Sequence, residues 1–261
     1  MGACGVRKRK RDLPGPFPSA RSANKPPRPA LIDRLDLWLL STGRDVDGLW
    51  VGTIEDKPYP GLQRVDDALR LIKCHAPLHY WRINHHLQRI WVRLIPNALA
   101  HYDLSLNACA LDKRYVLAEA TTVERIASSI VHEATHARLE RWGIRYDEKA
   151  RARIEAICLR RELDFLCRLQ DTEALRDEIA RTLEWCAGDH DWFSNASFAR
   201  RADEGNAETL RYLGAPDWLI EGTLKVRAFI LPARRLIHRL FRLARGWIPA
   251  NEVDGERPAR D

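Results

Sequence analysis

The chain of 261 residues carries 43 Lys and Arg against 36 Asp and Glu, is 45% hydrophobic, and contains 14 Gly and 14 Pro. This composition excludes collagen-like, low-complexity and wholly disordered proteins, and the length suits one or two globular domains. No run of 18 apolar residues is free of charge, so no membrane-spanning helix is predicted. The six cysteines form no CxxC pair, which favours free thiols in a reducing compartment and predicts a cytoplasmic protein.

The basic charge lies in two flanks of the chain. Residues 1–29 hold eight Lys and Arg, one Asp and six Pro, and residues 222–250 hold seven Lys and Arg and no acid, which leaves the stretch 30–221 mildly acidic. A nucleic-acid groove through the middle of the chain is therefore not expected. Residues 1–29 have few large apolar side chains and are predicted to form a disordered arm, whose prolines interrupt the apolar run that a secretion signal needs.

The first half of the remaining chain is predicted to contain helices and then a small, mostly antiparallel sheet. A short amphipathic helix is expected over 30–40, a strand over 49–54, and a helix that includes Val65 and ends near Gln88. The sheet is predicted within 89–118, with strands over 89–95, within 102–110, and over 114–117 after a turn at 111–113.

The second half has helical patterns throughout. The segment Thr121-Thr122-Val123-Glu124 is a capping-box signature, and the helix that it opens is expected to stop at Gly143. Further helices are predicted over about 148–169, over about 172–186, and from Pro216, with a kink at Pro232 and an end at Gly246. The predicted organisation is a basic arm over 1–29, one α+β domain over 30–221, a basic amphipathic helix over 222–250 and a tail over 251–261.

The helix that follows Thr121 contains His132-Glu133-Ala134-Thr135-His136, the HExxH pattern. Residues four apart lie on one face of a helix, so both imidazoles can reach a single Zn²⁺, while Glu133 projects toward the open side of the metal. The alternative is two surface histidines that flank a salt-bridging glutamate.

A catalytic zinc needs a third protein ligand and one open position. Glu155 follows His136 with 18 residues between them, and a helical hairpin that turns at Gly143 returns it alongside the histidines. Its apolar neighbours predict burial, where a carboxylate needs a cation. Other candidates stay open: Glu162, two turns beyond Glu155, as a ligand or a support for one, Asp147, Glu148, and the cluster Asp189-His190-Asp191.

HExxH followed by 18 residues and Glu resembles the gluzincin group of zinc metallopeptidases, over about residues 100–170. The resemblance implies a zincin-like domain in which His132, His136 and Glu155 are the zinc ligands and Glu133 is the general base. Ile154 stands where such enzymes commonly carry Asn, so the metal site is expected without any particular family's specificity.

The resulting hypothesis is a zinc-dependent metallopeptidase, endopeptidase or aminopeptidase, that hydrolyses a peptide or protein substrate. Tyr146, His190 and Tyr212 are candidate donors to the oxyanion, and the strand predicted over 114–117 is expected to present backbone groups to an extended substrate. The alternative is a non-catalytic or regulatory protein that keeps the fold for binding.

The basic segment 222–250 alternates Arg and Lys with apolar residues. Such an amphipathic helix can pack on the domain with its basic face solvated. It can also lie, together with the arm over 1–29, on an anionic membrane surface, which makes a peripheral location the alternative to a purely cytoplasmic one. Nucleic acid is the less favoured partner.

Overall fold

A computed structural model of the chain describes residues 28–37, 41–55, 57–188, 190–223 and 225–226. The chain divides into two compact units, one up to Phe198 and one from Ala199. Nearly all of the arm predicted over 1–29 and of the basic helix predicted over 222–250, with its expected kink and end, lies outside the described residues. Within them, no helix combines the length and the apolar character needed to cross a membrane.

The first unit is α+β and contains a five-stranded mixed sheet. The strands are β1 Thr42–Val46, β2 Leu49–Thr53, β3 Arg89–Arg93, β4 Ala100–Asp103 and β5 Ala108–Asp112. They lie in the order β1-β2-β3-β5-β4. Strands β1 and β2 form an antiparallel hairpin through Asp47 and Gly48, whose positive φ angles of 54° and 86° suit a tight turn. Strands β2, β3 and β5 are parallel to one another, and β4 pairs antiparallel with β5 at the end of the sheet.

The sheet is mixed rather than mostly antiparallel, and it extends beyond the predicted 89–118 to include the strand predicted over 49–54. The sheet begins at Thr42, and two of its four pairings are parallel. Strand β2 leads into helices α2 (Pro60–His75) and α3 (Pro77–His86), which return the chain so that β3 runs in the same direction as β2. The single helix expected to end near Gln88 is divided into the two helices α2 and α3. The division occurs because Pro77 forces Ala76 out of the helical region, to φ −143° and ψ 63°.

The strand predicted over 114–117 is also wrong, because this segment is the short helix α4 (Lys113–Leu117). Asp112 caps it: its carboxylate accepts the backbone N–H of Arg114 at 2.7 Å. Tyr115 and Val116, whose apolar side chains suggested a strand, are buried against the core from this helix. Strands β4 and β5 both contact the HExxH helix, and the contact with β4 is the more extensive.

The helices predicted over 30–40, after Thr121, over about 148–169 and over about 172–186 are present in the structure, whereas no separate helix was predicted over residues 195–212. Helix α1 covers Leu31–Leu35, and helix α5 covers Val123–Arg141. The Thr122 hydroxyl caps α5 by accepting the N–H of Arg125, and Gly143 follows its end with φ +79°. The remaining helices are α6 (Arg151–Leu166), α7 (Glu173–Cys186) and α8 (Asn195–Tyr212), with a further helical stretch from residue 217.

Helix α5 is packed between two groups of elements. It contacts the sheet, α2 and α3 on one side, and it contacts α6 on the other. Its apolar residues, including Ile126 and Ile130, are fully buried and join Ile90 of β3 and Leu111 of β5 in the main core. This packing fixes the helix that carries HExxH to the sheet. The face toward α6 combines polar side chains with an apolar cluster of Leu139, Ile154 and Cys158.

Candidate metal centre

Polar residues line the contact between α5 and α6. Residues three or four apart share one face of a helix, and each helix turns such a row toward the other. The rows run in opposite directions, since Ser128 contacts Glu162 at one end while His136 lies near Glu155 at the other. The row on α5 is Ser128, His132 and His136, and the row on α6 is Glu162, Cys158 and Glu155.

The structure brings His132, His136 and Glu155 together. The Nε2 atoms of the two histidines are 3.1 Å apart, Nε2 of His132 is 3.1 Å from Oε2 of Glu155, and Nε2 of His136 is 3.6 Å from Oε1 of Glu155. Tetrahedral bonds of about 2.0–2.2 Å to one zinc ion place ligand atoms about 3.3–3.5 Å apart. The donor set and its spacing therefore fit a zinc ion.

Charge accumulates in this cluster. Burial lowers the pKa of His136, but hydrogen bonds with Cys158 and Glu155 raise it to about 10. Burial also lowers the pKa of His132, yet the nearby Glu162 carboxylate brings it well above its ordinary value. Burial raises the pKa of Glu155, but hydrogen bonds from the two histidines hold it well below its usual range. Positive charge is thus favoured between these groups, and a divalent cation would take the place of the imidazole protons.

Glu162 lies on the other side of His132. Its Oε1 contacts Nδ1 of His132 and its Oε2 accepts the Ser128 hydroxyl, so both oxygens are engaged in a buried setting. A carboxylate on Nδ1 fixes the tautomer and leaves Nε2 free to bind metal. The sequence left two roles open for Glu162, as a metal ligand or as a support for one. The geometry favours the second role, in which Glu162 orients the ligand His132. The part of Ser128 was missed, although its spacing of four residues from His132 was a usable signal.

Tyr146 reaches the cluster from the segment between the two helices. Its hydroxyl donates to Oε1 of Glu155, and its ring lies edge-on to His136 with centroids 5.4 Å apart. Burial and the Glu155 carboxylate raise the pKa of Tyr146 well above its usual value. Among the other candidate oxyanion donors, His190 stacks on Trp185 at 4.5 Å, and Tyr212 belongs to the second unit.

Glu133 is buried, with 6% of its surface exposed. Burial, and then the charge of Glu133, raise the pKa of the Cys109 thiol on β5. The same charge contributes to the raised pKa values of His136 and Tyr146. Glu133 therefore lies within electrostatic reach of β5, of one histidine and of Tyr146.

The other carboxylates weighed as third ligands are engaged elsewhere. Asp147 accepts the backbone N–H of Ala150 at the turn before α6. Glu148 accepts the backbone N–H and the side-chain amide of Asn195, at 2.7 and 2.9 Å. Asp189 lies outside the described residues, and Asp191 begins a 3₁₀ turn.

Cys158 is fully buried in an apolar cluster with Leu139 and Ile154, and it also belongs to this polar cluster, which was not predicted from the sequence. Its Sγ and one nitrogen each of His132 and His136 lie within 4.8 Å of one another. The available signal was its position three residues after Glu155, one helical turn away on the same face.

Comparison with known protein families, with curated proteins and with solved structures finds no match to this chain. The resemblance to gluzincins and the zincin-like fold therefore stay predictions. Function is inferred from the distances, burial and charges of the site.

Proposed function

We propose that the protein is a zinc-dependent peptidase of the gluzincin type, in which His132, His136 and Glu155 hold the metal and Glu133 is the general base. The observation that carries this proposal is the convergence of two imidazole nitrogens and the Glu155 carboxylate, at separations of 3.1–3.6 Å. Three protein ligands leave one position of a tetrahedral zinc open, as catalytic sites require. A zinc ion at this place would polarise the substrate carbonyl and activate a water molecule.

The remaining chemistry belongs to side chains. Glu133 is one residue beyond His132, about 100° around the helix, and so stands beside the ligand face rather than on it. In this position its carboxylate accepts the proton of the attacking water and passes it to the leaving amine. Tyr146 is the candidate oxyanion donor beside the ligands, and it would release Glu155 to donate to the substrate oxygen.

The sheet supports a zincin-like arrangement. Strand β4 packs against α5 and ends the sheet, antiparallel to its neighbour β5. The segment 114–117 cannot present an extended substrate because it is helical. We therefore assign that role to β4, which is an edge strand of the described sheet and packs against α5, whereas the other edge strand, β1, lies at the opposite end of the sheet.

Zinc content and peptide hydrolysis test the proposal together. The wild type and Glu133→Gln should each hold about one zinc per chain by elemental analysis, and His132→Ala and Glu155→Ala should lose it. The wild type should cleave members of a peptide library, and Glu133→Gln should not. His75→Ala, a change at an exposed histidine, is the matched control and should keep both properties. A wild type that holds no metal after purification with zinc would overturn the proposal.

A second candidate is a zinc-holding protein without hydrolytic activity, in regulation or binding. The burial of Glu133 favours it, because a general base must reach water in an open cleft. Full zinc occupancy with no cleavage by either the wild type or Glu133→Gln would favour this second function over peptidase activity. Contact of the basic flanks 1–29 and 222–250 with an anionic membrane surface stays a prediction, as does the preference for peptide over nucleic acid.

A further inference from the structure

We propose that Cys158 is a fourth protein ligand of this metal centre, so that two imidazoles, one carboxylate and one thiolate hold the ion. The inference rests on the metal site of the proposed function and does not depend on peptidase activity. With Cys158 as a ligand, the protein would supply all four ligands of a tetrahedral zinc ion instead of three.

Geometry places the thiol within reach of the ion. The Sγ of Cys158 and one nitrogen of each histidine lie within 4.8 Å of one another. Around a zinc ion with bonds of about 2.3 Å to sulfur and 2.0–2.1 Å to nitrogen, these atoms stand about 3.5 Å apart. The thiol is therefore grouped with both imidazoles near the place where a zinc ion would lie.

The fold directs Cys158 to the histidines. It follows Glu155 by three residues on α6, and the two side chains therefore leave the helix toward α5. Cys109 and Cys186 are buried as well, but among the described residues the sulfur grouped with the two imidazoles is that of Cys158.

The difference in burial indicates which side of the site the Cys158 thiol occupies. Cys158 is fully buried, whereas the side chains of His132, His136 and Glu155 are 14%, 13% and 19% exposed. The sulfur therefore closes the inner side of the cluster, and the other three ligands border the solvent. A thiolate also favours zinc and cobalt over magnesium and calcium, which prefer oxygen ligands.

Thiolate ligation has a consequence for the proposed activity. Four protein ligands are typical of closed, structural zinc sites, and catalytic sites keep one position for water. With Cys158 bound, water enters only if coordination expands to five or if the sulfur leaves. Cys158 would thus restrain hydrolysis, and the activity per bound metal should rise when the sulfur is removed.

Cobalt spectroscopy tests the ligand directly. One equivalent of Co²⁺ is added without oxygen to the metal-free, reduced, full-length protein. We expect visible bands of a four-coordinate ion together with a near-ultraviolet thiolate-to-cobalt charge-transfer band. Cys158→Ser should lose the charge-transfer band and keep the visible bands. Cys167→Ser, which changes an exposed thiol at the end of the same helix, should keep both.

The outcomes separate this inference from the proposed function. Visible bands without a charge-transfer band in the wild type would leave the metal centre standing and overturn the role of Cys158. No cobalt uptake would overturn both. X-ray absorption of the zinc-loaded wild type needs no variant, and should show one sulfur at about 2.3 Å beside nitrogen and oxygen at about 2.0–2.2 Å. A shell of nitrogen and oxygen alone would contradict the inference even if Cys158→Ser fails to fold.

Discussion

The ring of His132 connects two carboxylates of α6. Its Nδ1 contacts Oε1 of Glu162, and its Nε2 lies 3.1 Å from Oε2 of Glu155. Glu162 is itself held by the hydroxyl of Ser128, so the orientation of the imidazole is set by the packing of two helices. A ligand fixed in this way needs little reorganisation when a metal binds.

Glu162→Gln should weaken zinc binding without abolishing it. The amide keeps a partner for Ser128 but removes the negative charge beside Nδ1, which lowers the basicity of His132 as a ligand. Loss of such a supporting carboxylate typically costs about 10–100-fold in metal affinity. Competition against a chromophoric chelator measures the effect. Glu184→Gln, at an exposed position of α7, should bind zinc as the wild type does, and equal affinities in the two variants would show that Glu162 does not support the ligand.

The helices and the principal candidate residues were accessible from sequence because their signals are local. Thr122 as a cap, Gly143 as a stop and HExxH on one face of α5 each depend on residues within a few positions. The hairpin of α5 and α6 then brings Glu155 to the histidines. Cys158 was not predicted as a ligand, since its spacing from Glu155 indicates a shared face but not which side chain reaches across to the other helix.

The sheet was less accessible because strand pairing is not local. Strand β3 pairs with β2 across two helices and with β5 across β4, so its own sequence does not show its partners. The segment after Asp112 has strand-like apolar residues, but the Asp112 cap and the burial of Tyr115 favour one helical turn instead. Tertiary packing outweighed β propensity there.

Asp112→Ala should destabilise the first unit strongly. The Asp112 side chain is 2% exposed, accepts the N–H of Ile95 at 3.2 Å, and pairs with Arg114 at 2.7 Å. Its removal leaves a buried N–H and a guanidinium without this carboxylate, and breaking a buried pair costs about 3–5 kcal/mol. Urea unfolding followed by circular dichroism measures the change. Asp45→Ala, which removes an exposed turn carboxylate, should cost less than about 1.5 kcal/mol; a similar loss in both would contradict the assigned role.

Gly143→Ala should cost about 1 kcal/mol in the free energy of unfolding. Gly143 has φ +79°, which side chains with a Cβ adopt with strain. No atom of the described residues lies within 4 Å of the added Cβ, so the expected cost comes from the backbone. Gly222 has equally open space among the described residues and lacks a positive φ, and Gly222→Ala should therefore be neutral or stabilising. Urea midpoints of both variants against the wild type test this, and a neutral Gly143→Ala would refute the backbone explanation.

His86 should make the protein less stable in mild acid. The residue is 7% exposed and its Nδ1 has no hydrogen-bond partner among the described residues. Burial, followed by the positive charge of Arg141, lowers its pKa from 6.5 to about 4. Between these values the unfolded chain binds a proton that the folded protein does not, so the free energy of unfolding falls as the pH decreases from about 6.5 to about 4.

His86→Gln removes this titration, and its unfolding free energy should decline less than that of the wild type over the same pH range. Urea unfolding at a series of pH values measures both slopes. His75→Gln changes an exposed histidine on α2 and is the matched control, which should follow the wild type. Gln keeps a polar side chain of similar reach but does not titrate. A loss of packing in this variant would therefore lower the free energy of unfolding by the same amount at every pH and leave the slope unchanged. The prediction fails if the slopes of wild type and His86→Gln coincide.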